Sequence, residues 1–370
     1  MSIDEHYMHR ALALAQLGLG SVSPNPLVGC VIVGENQIIG EGWHQKIGEA
    51  HAEANAIKSA TDESALSGST LYVNLEPCTH IGKTPPCADL ILEKKIKRVV
   101  IANLDANKAV SGGGAEKLRE GGAEVIVGVL EKEGRILNKR FFANVEKRRP
   151  YIILKWAQTA DGFMARTDFS SQWISGETAR QFAHKMRSEE DAVLTGRQTA
   201  QCDNPQLSVR LWQGRNPIRI AMDRYLKLPR TLHLFDGSAE TLIYNVKKTE
   251  EGNNLFYVKV SEENFLSEMQ ADLHRRRIGS VMAEGGAQTL RLFIEADAWD
   301  EAHVFVSPKK FGEGIAAPKI AGRTTASQAG EDRYFFIENT RGKCGHAGEA
   351  LPLISQPDEA FYKPKRPPYG

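Results

Sequence analysis

Apolar runs of strand length alternate with segments of helical spacing along both halves of the chain. In the first half, the pattern predicts a hairpin at 28–39, strands at 70–75, 98–102 and 124–127, and helices at 52–60, 87–95 and 115–120. In the second half, it predicts strands at 151–157, 192–194, 218–222, 241–244, 280–283 and 303–306. Such alternation is typical of α/β folds. We therefore expect two α/β domains, the first a three-layer domain with a largely parallel central sheet.

The chain of 370 residues is longer than one hydrophobic core usually organises. The charged stretch at 146–150 marks the expected boundary, so we assign the first domain to 1–147 and the second to 148–323. Beyond 323 the apolar periodicity fades, and we expect a partly irregular C-terminal tail over 324–370 with no assigned chemistry. This tail either stands apart or belongs to the second domain.

The charge balance and the cysteines exclude several classes of protein. Lys plus Arg number 47 and Asp plus Glu number 46, so the chain has no strong field that would attract a nucleic acid. We find no apolar stretch of membrane-spanning length and no cationic, apolar leader at the N-terminus. Five scattered cysteines do not form a disulfide scaffold. We expect a cytoplasmic protein with reduced thiols and with neither nucleic-acid nor membrane partners.

One group of residues carries the chemistry of a zinc site. His51 and Glu53 begin a predicted helix, and Cys78 and Cys87 lie one strand later. Two thiolates and one imidazole give a tetrahedral zinc three protein ligands and leave the fourth position to water, as in catalytic sites. Glu53 is close enough to that water to move protons without binding the metal, which is the logic of zinc deaminases. The alternative is a core histidine with two structural thiols.

The spacing of the two cysteines departs from the general deaminase signature. That signature has two residues between them, whereas eight intervene here. The extra residues must form a loop beside the metal, so we expect His80 and Lys83 to face the substrate. Such a loop favours a small anionic molecule over a base flipped out of a polynucleotide.

Motifs in both halves resemble those of the bifunctional deaminase/reductase family of riboflavin biosynthesis. In the first half they are Pro24-Asn-Pro-Leu-Val-Gly29, His51-Ala-Glu53, Glu76-Pro-Cys-Thr-His-Ile-Gly-Lys-Thr-Pro-Pro-Cys87 and Val110-Ser-Gly-Gly-Gly114. In the second half they are Leu154-Lys155, Asp161-Gly162, Ser171-Gln-Trp-Ile-Ser175, Gly196 with Thr199, Asp203-Asn-Pro-Gln-Leu207, Arg210 and Glu284-Gly-Gly286. The resemblance covers roughly residues 1–320.

The resemblance implies a cytidine-deaminase-like first domain that removes an amino group from the diamino-phosphoribosylamino-pyrimidinone that precedes riboflavin. It implies zinc ligation by His51, Cys78 and Cys87, and proton transfer by Glu53. The residues that it implies for positioning the pyrimidine and phosphoribosyl groups are Asn25, His44, His80 and Lys83.

The same resemblance implies a dihydrofolate-reductase-like second domain that uses NADPH to reduce the ribosyl group to a ribityl chain. The residues implied near NADPH are Ala157, Trp173, Thr199, Asp203, Gly286, Ala287, Gln288, Thr289, Leu290, Arg291 and Leu292. The residues implied near the substrate are Lys155, Ser171, Arg187, Leu207, Arg210 and Glu284. A homo-oligomer is also implied.

Without the resemblance, the residues of the second half leave alternatives open. The glycine pair at 285–286 is either a phosphate cradle at a helix N-terminus or a tight turn. The structural alternatives are a surface salt bridge for Arg187 and for Arg210, a turn for Asp203 and a place in the core for Trp173. Lys155 is more specific, because a lysine inside an apolar strand needs a partner or an anionic ligand.

Two other functions compete with this interpretation. A nucleoside or nucleic-acid deaminase fused to an unrelated nucleotide-binding domain would have a basic groove and a short Cys-x-x-Cys, and the sequence shows neither. A non-enzymatic protein with a structural zinc and a nucleotide-binding regulatory half would need a fourth protein ligand, for which His80 is the only candidate.

Overall fold

The computed structural model describes residues 1–79, 85–107, 112–168 and 173–341. The chain divides into two compact units, Met1–Arg149 and Pro150–Gly370. None of the helices in the described part is both long and apolar enough to cross a membrane.

The first unit has one five-stranded sheet with helices on both faces. Its helices are α1 (Ile3–Gln16), α2 (Ala52–Ser59), α3 (Cys87–Glu93), α4 (Gly113–Glu120), α5 (Glu131–Leu137) and α6 (Lys139–Lys147). Its strands are β1 (Gly29–Gly34), β2 (Gln37–Trp43), β3 (Thr70–Leu75), β4 (Arg98–Asn103) and β5 (Glu124–Val127), in the order β2-β1-β3-β4-β5.

Two apolar clusters give this unit its three layers. On one face, Met8 and Ala11 of α1 pack on Val31 and Val100 of the sheet. On the other face, apolar side chains of α2, α3 and α4 pack on β1, β3 and β4. The apolar stripes of the helices thus meet a sheet that is buried on both sides, as expected for a three-layer α/β domain.

The expectation of a largely parallel first sheet is wrong for half of its pairings. Strands β3, β4 and β5 are parallel, but β1 is antiparallel to both β2 and β3. Glu35 and Asn36, which join β1 to β2, both have positive φ. A two-residue turn of this kind closes a tight hairpin and so reverses the chain at the sheet edge.

The second unit is built on a ten-stranded mixed sheet. Its main strands, in sheet order, are β11 (Glu250–Gly252), β12 (Leu255–Lys259), β10 (Thr241–Asn245), β9 (Ile218–Met222), β8 (Ala192–Gly196), β13 (Ser280–Ala283), β6 (Tyr151–Thr159), β14 (Glu301–Ser307), β17 (Asp332–Glu338) and β16 (Arg323–Ala329). Strands β7 (Phe163–Ala165) and β15 (Ile315–Ala316) form a separate pair. The helices are α7 (Glu177–Glu189), α8 (Arg197–Asp203), α9 (Phe265–Arg275) and α10 (Ala287–Glu295).

The strands from β12 to β14 run parallel across the middle of this sheet. Their carboxyl ends therefore share one edge, where open α/β sheets bind ligands. The turns that follow β8 and β13 lie side by side at this edge, separated by no other strand.

The expected irregular tail is corrected for residues 323–338. These form the antiparallel hairpin β16–β17, which pairs with β14. Asp332 of β17 accepts a hydrogen bond from the Gly176 amide at the start of α7 (2.8 Å), and Ile337 is only 7% exposed. The sequence pattern missed this hairpin because nearly every side chain of β16 is exposed, so no alternation of apolar and polar positions marks the strand.

We predict that Ile337→Ala lowers the free energy of unfolding of the second unit by about 2–5 kcal/mol, because it leaves a cavity in a packed core. Urea denaturation followed by circular dichroism measures the loss. Thr325→Ala on β16 is the matched control, since its side chain is exposed, and it should unfold like the wild type. Equal stability of all three proteins would show that the hairpin is not part of the core.

Candidate active sites

The three predicted zinc ligands converge at the starts of two helices. His51 precedes the first turn of α2, Cys87 is the first residue of α3, and Cys78 follows the end of β3. The His51 Nδ1 atom lies 3.5 Å from the Cys78 Sγ atom and 3.4 Å from the Cys87 Sγ atom. The three ligand atoms all lie within 4.8 Å of one another.

These distances fit a tetrahedral zinc ion. Zn–N bonds of about 2.0–2.1 Å and Zn–S bonds of about 2.3 Å at tetrahedral angles put the nitrogen and sulfur atoms about 3.5 Å apart. The backbone amide of Cys87 also donates to the Cys78 Sγ atom (3.4 Å). Hydrogen bonds from the Cys87 and His51 side chains lower the pKa of the Cys78 thiol, which favours the thiolate that a metal requires.

Glu53 lies in the first turn of α2 and is 3% exposed. Burial raises the pKa of its carboxyl group to about 7. Burial and the nearby Glu53 charge also raise the pKa of the Cys30 thiol, which therefore stays protonated and is a poor metal ligand. A carboxyl group whose pKa lies near neutral pH can both accept and release a proton, which is what acid–base catalysis requires.

His44 supports Asn25, and neither of its ring nitrogens is left for a substrate. The His44 Nδ1 atom lies 3.1 Å from the Ala50 carbonyl oxygen, and the Nε2 atom lies 3.1 Å from the Asn25 Nδ2 atom. Burial lowers the pKa of His44 and keeps it neutral, so Nδ1–H donates and Nε2 accepts. The Asn25 Oδ1 atom has no partner in the described part of the chain and is left for a ligand.

Two buried asparagines that the sequence analysis did not select hold the loop that carries Asn25. The Leu27 amide donates to Asn138 Oδ1 (2.8 Å), and the Leu27 carbonyl accepts from both Asn138 Nδ2 and Asn74 Nδ2 (2.9 Å each). Asn74 Oδ1 also accepts from the Gly29 amide (2.8 Å). An asparagine inside an otherwise apolar strand was the available sequence clue for Asn74, because a buried amide needs partners.

Glu76 is a second group that sequence reasoning missed. Its carboxylate accepts from the amides of Asp105 (3.1 Å), Gly112 (2.9 Å) and Ala115 (2.9 Å). A Cβ on Gly114 would lie 2.1 Å from the Pro77 carbonyl oxygen, so only glycine permits this approach of α4 to the Cys78 segment. Glu76 therefore fixes α4 beside the zinc ligands.

The second unit places a buried ion cluster at the carboxyl edge of its sheet. Arg187 forms two hydrogen bonds to Glu284, Nε–Oε1 at 2.6 Å and Nη2–Oε2 at 2.8 Å. Lys155 Nζ lies 3.7 Å from Glu284 Oε2. The Glu284 side chain is 11% exposed and that of Arg187 is 12% exposed, so the alternative of a surface salt bridge does not hold for Arg187.

In this cluster, neighbouring charges change the pKa of Glu284 more than its burial does. Burial disfavours the ionised carboxyl group of Glu284, but Arg187 and Lys155 lower its pKa to about 2. Burial lowers the pKa of Lys155, against the attraction of Glu284. Lys155 thus has the partner that its place in an apolar strand required, and the cluster keeps a cationic excess.

The glycine-rich turns after β8 and β13 approach each other closely. A Cβ on Gly196 would meet the Thr289 Oγ1 atom at 2.1 Å, and a Cβ on Gly286 would meet the Thr199 Oγ1 atom at 2.8 Å. Gly286 is the N-cap of α10, whose first-turn amides have no partner within the helix. The turn is thus tight, and the first-turn amides of α10 need partners from outside the helix, which is what a phosphate cradle requires.

The remaining residues expected near the cofactor lie around this edge. Ala157 lies on β6, and Asp203 is the last residue of α8. Trp173 is 69% exposed and therefore not a core residue. Leu290 is fully buried and Leu292 packs on the core, so these two reach a cofactor only through their main chain.

The remaining residues expected near the substrates divide into those outside the described part of the chain and those that the structure locates. His80, Lys83 and Ser171 lie outside the described residues. Leu207 is buried with a φ of 51°, and Arg210 is exposed close to the ion cluster.

The metal-ligand triad and the cradle beside a cationic cluster define a zinc-dependent deaminase joined to a nucleotide-dependent reductase. Residues 1–103 match the model of the cytidine and deoxycytidylate deaminase zinc-binding region, and residues 150–330 match the model of the RibD C-terminal domain. A riboflavin biosynthesis protein RibD from Aquifex aeolicus is 43% identical over 328 residues, 87% of this chain and 92% of that protein.

Solved structures are similar over most of the chain. A deaminase/reductase from Thermotoga maritima, named for diaminohydroxyphosphoribosylaminopyrimidine and 5-amino-6-(5-phosphoribosylamino)uracil, has a TM-score of 0.82 and 38% identity, over 90% of this chain and 98% of that one. RibD from Acinetobacter baumannii has the same TM-score at 32% identity and the same coverage. The chain belongs to the RibD family of bifunctional riboflavin biosynthesis proteins.

The chain is therefore a hydrolytic deaminase and a reductase in riboflavin biosynthesis, with zinc and NADPH as cofactors. Its fold is a cytidine-deaminase-like three-layer unit followed by a dihydrofolate-reductase-like α/β unit. The match at 150–330 excludes an unrelated partner domain. Membership of a family with a deaminase and a reductase domain excludes the non-enzymatic alternative.

We predict that Glu284→Gln destabilises the second unit by about 3–5 kcal/mol at pH 7, because Lys155 and Arg187 lose their buried counter-charge. The pKa of Glu284 is about 2 in the folded protein and about 4.3 in an unfolded chain. The stabilisation is therefore complete above the unfolded value and is lost as the pH falls toward the folded value.

Urea denaturation of both proteins between pH 7 and pH 3 tests this. The difference between wild type and Glu284→Gln should stay constant at the upper end and shrink below about pH 4.3. A difference that persists unchanged to pH 3, or that is missing at pH 7, would contradict the ion-pair assignment.

Proposed function

We propose that the first unit deaminates 2,5-diamino-6-(5-phosphoribosylamino)pyrimidin-4-one and that the second unit reduces the ribosyl group of the product to ribityl with NADPH. The observation that carries this is the convergence of one imidazole and two thiols, three of the four ligands that a tetrahedral zinc ion takes, beside buried Glu53. We assign the deaminase to 1–147 and the reductase to 148–323, extended through the hairpin that ends at Glu338.

For deamination, His51, Cys78 and Cys87 hold the zinc ion. The bound ion supplies a water ligand whose pKa is lowered toward neutrality. Glu53 accepts a proton from the attacking water and delivers it to the departing amine, so that ammonia leaves as an oxygen replaces the exocyclic nitrogen. The burial that keeps the pKa of Glu53 high supports this double role.

Substrate recognition in the deaminase depends on the side-chain amide of Asn25, which His44 holds in place. Asn25 Oδ1 accepts from an N–H group of the pyrimidine, and the bond between Nδ2 and His44 holds the amide in this orientation. Asn74 and Asn138 keep the loop of Asn25 in place. His80 and Lys83, from the loop between the two cysteines, contact the phosphoribosyl group, which the length of that loop supports.

For reduction, bound NADPH would supply the hydride that the anomeric carbon of the opened sugar requires, and the attached nitrogen would take a proton. The amides of Ala287, Gln288 and Thr289 would hold the cofactor phosphates at the start of α10, where the missing side chain of Gly286 leaves room for Thr199. The further cofactor contacts that we propose are Ala157, Trp173, Asp203, Arg291 and the main chain of Leu290 and Leu292.

The ion cluster orients the substrate of the reductase. Glu284 is held by Arg187, and Lys155 is the buried cation nearest to it. Because burial lowers the pKa of Lys155, its ammonium group can release the proton that the reduced nitrogen needs. Ser171, Leu207 and Arg210 complete the substrate contacts that we propose.

We also propose that the enzyme is a cytoplasmic homo-oligomer. The free thiols of Cys30 and Cys202, together with those of the two zinc ligands, suit a reducing compartment. Light scattering after gel filtration tests the oligomeric state, and a monomer at micromolar concentration would contradict it.

We predict that Glu53→Gln lowers ammonia release at least about 100-fold, because the amide cannot carry a proton. Zinc content and NADPH oxidation on deaminated substrate should stay at wild-type levels. Lys155→Ala is the reciprocal variant, which should lose NADPH oxidation and keep ammonia release. Both reactions are followed in parallel by an ammonia assay and by absorbance of NADPH.

Loss of both activities in either variant would contradict two independent sites. Wild-type ammonia release by Glu53→Gln would remove Glu53 from the mechanism, and loss of zinc from it would make Glu53 a metal ligand.

A further inference from the structure

Ser208, Val209 and Arg210 belong to no helix or strand, so no regular backbone hydrogen bonds fix this segment. Side chains hold it instead. The Ser208 carbonyl accepts from Arg187 Nη1 (3.1 Å), and the Val209 amide donates to Asn216 Oδ1 (2.8 Å). The Arg210 amide donates to His184 Nδ1 (3.0 Å). Three consecutive residues thus each have one backbone group fixed by a side chain.

Two of these three contacts come from one face of α7. His184 and Arg187 are one helical turn apart, so α7 holds this segment with the same arginine that binds Glu284. His184 is only 6% exposed, and it was not among the residues selected from the sequence. The contact requires Nδ1 to be an acceptor, so the proton of the neutral ring is on Nε2.

The charges around His184 keep it in that state. Burial and the cations Arg187 and Arg210 lower its pKa to about 4, against the opposing charge of Glu284 and with a further lowering by Lys155. The cluster has three cationic side chains against one carboxylate. A phosphate monoester carries a charge of about −1.5 to −2 near pH 7, which matches this excess.

Arg210 is the member of this cluster that is left for such an anion. Its guanidinium group contacts Gln206 and the Ser208 hydroxyl (3.3 Å), and it forms no ion pair with any described residue. Partial desolvation of its guanidinium group and then the neighbouring charge of Arg187 lower the pKa of Arg210, so an anion that binds between the two arginines relieves their repulsion. Guanidinium groups bind phosphate by paired hydrogen bonds.

We infer that His184 is a positioning residue of the reductase, which holds the Arg210 backbone so that the guanidinium group binds the phosphate of the substrate. This inference rests on the proposed function. His184 touches neither the cofactor nor the reacting carbon in this account. Its contribution is specific to the anionic end of the substrate.

The test uses three variants of His184 and one matched control. His184→Leu removes the acceptor, whereas His184→Asn places an amide oxygen where Nδ1 was. His184→Gln carries the same amide one carbon further out and replaces His184→Leu if that protein does not fold. His274→Leu is the control, a histidine of α9 in the same unit whose Nδ1 is buried without a partner among the described residues.

Steady-state NADPH oxidation is measured with the deaminated phosphoribosylamino-pyrimidine and with the same compound lacking its phosphate. We expect His184→Leu and His184→Gln to raise the KM of the phosphorylated compound about tenfold or more, as for a lost contact to a charged group. Their kcat, their KM for NADPH and their KM for the phosphate-free compound should stay at wild-type values. His184→Asn and His274→Leu should behave like the wild type in all four.

Equal increases in KM for both compounds, an increased KM for NADPH, or no rescue by His184→Asn would overturn the inference, because a general structural role predicts them. If Arg210→Ala raises the KM of the phosphorylated compound and His184→Leu does not, the inference alone fails. If the wild type shows the same KM for both compounds, or if Arg210→Ala has no effect, the proposed substrate role of Arg210 fails.

Discussion

The structure of the first unit depends on bringing one imidazole and two thiols, from three separate segments, to within 4.8 Å of one another around one point, as a tetrahedral ion requires. The N-terminal ends of two helices supply two of these three ligands. His51 and Cys87 open α2 and α3, and Cys78 leaves β3 between them, so the rigid packing of two helices on a sheet fixes the ligands. The same arrangement buries Glu53 two residues from His51, and Glu76, Asn74 and Asn138 secure the surrounding loops.

The second unit meets a different constraint, because it contains buried cationic side chains whose charge must be compensated. Glu284 compensates Arg187 and Lys155, and the remaining cationic excess faces the edge where the parallel strands end. This edge also presents the free amides of α10. A buried charge is tolerated only with a partner, so a site that is rich in cations is completed by anionic ligands. We propose that the two phosphorylated ligands of the reductase supply those anions.

Local patterns predicted most of this architecture. Strands β3, β5, β9 and β13 begin and end at their expected residues, and the zinc triad followed from residue type and order. The antiparallel half of the first sheet depends on the conformation of Glu35 and Asn36, which apolar periodicity does not encode. The hairpin β16–β17 has a polar, exposed strand, so it lacked the alternation that marks strands. His44 supports Asn25 from 19 positions away in the sequence, and His184 supports Arg210 from 26 positions away. Only the folded chain creates these contacts.

The central claim is a three-ligand zinc centre with one open position. X-ray absorption at the zinc edge of the purified enzyme tests it most directly, because it separates sulfur neighbours from nitrogen or oxygen neighbours and counts imidazoles by the scattering of their outer ring atoms. The account predicts two sulfur atoms at about 2.3 Å, one imidazole nitrogen at about 2.0 Å and one oxygen of water. A second imidazole in place of that oxygen, with His80 as its source, or a protein that binds no zinc, would contradict it.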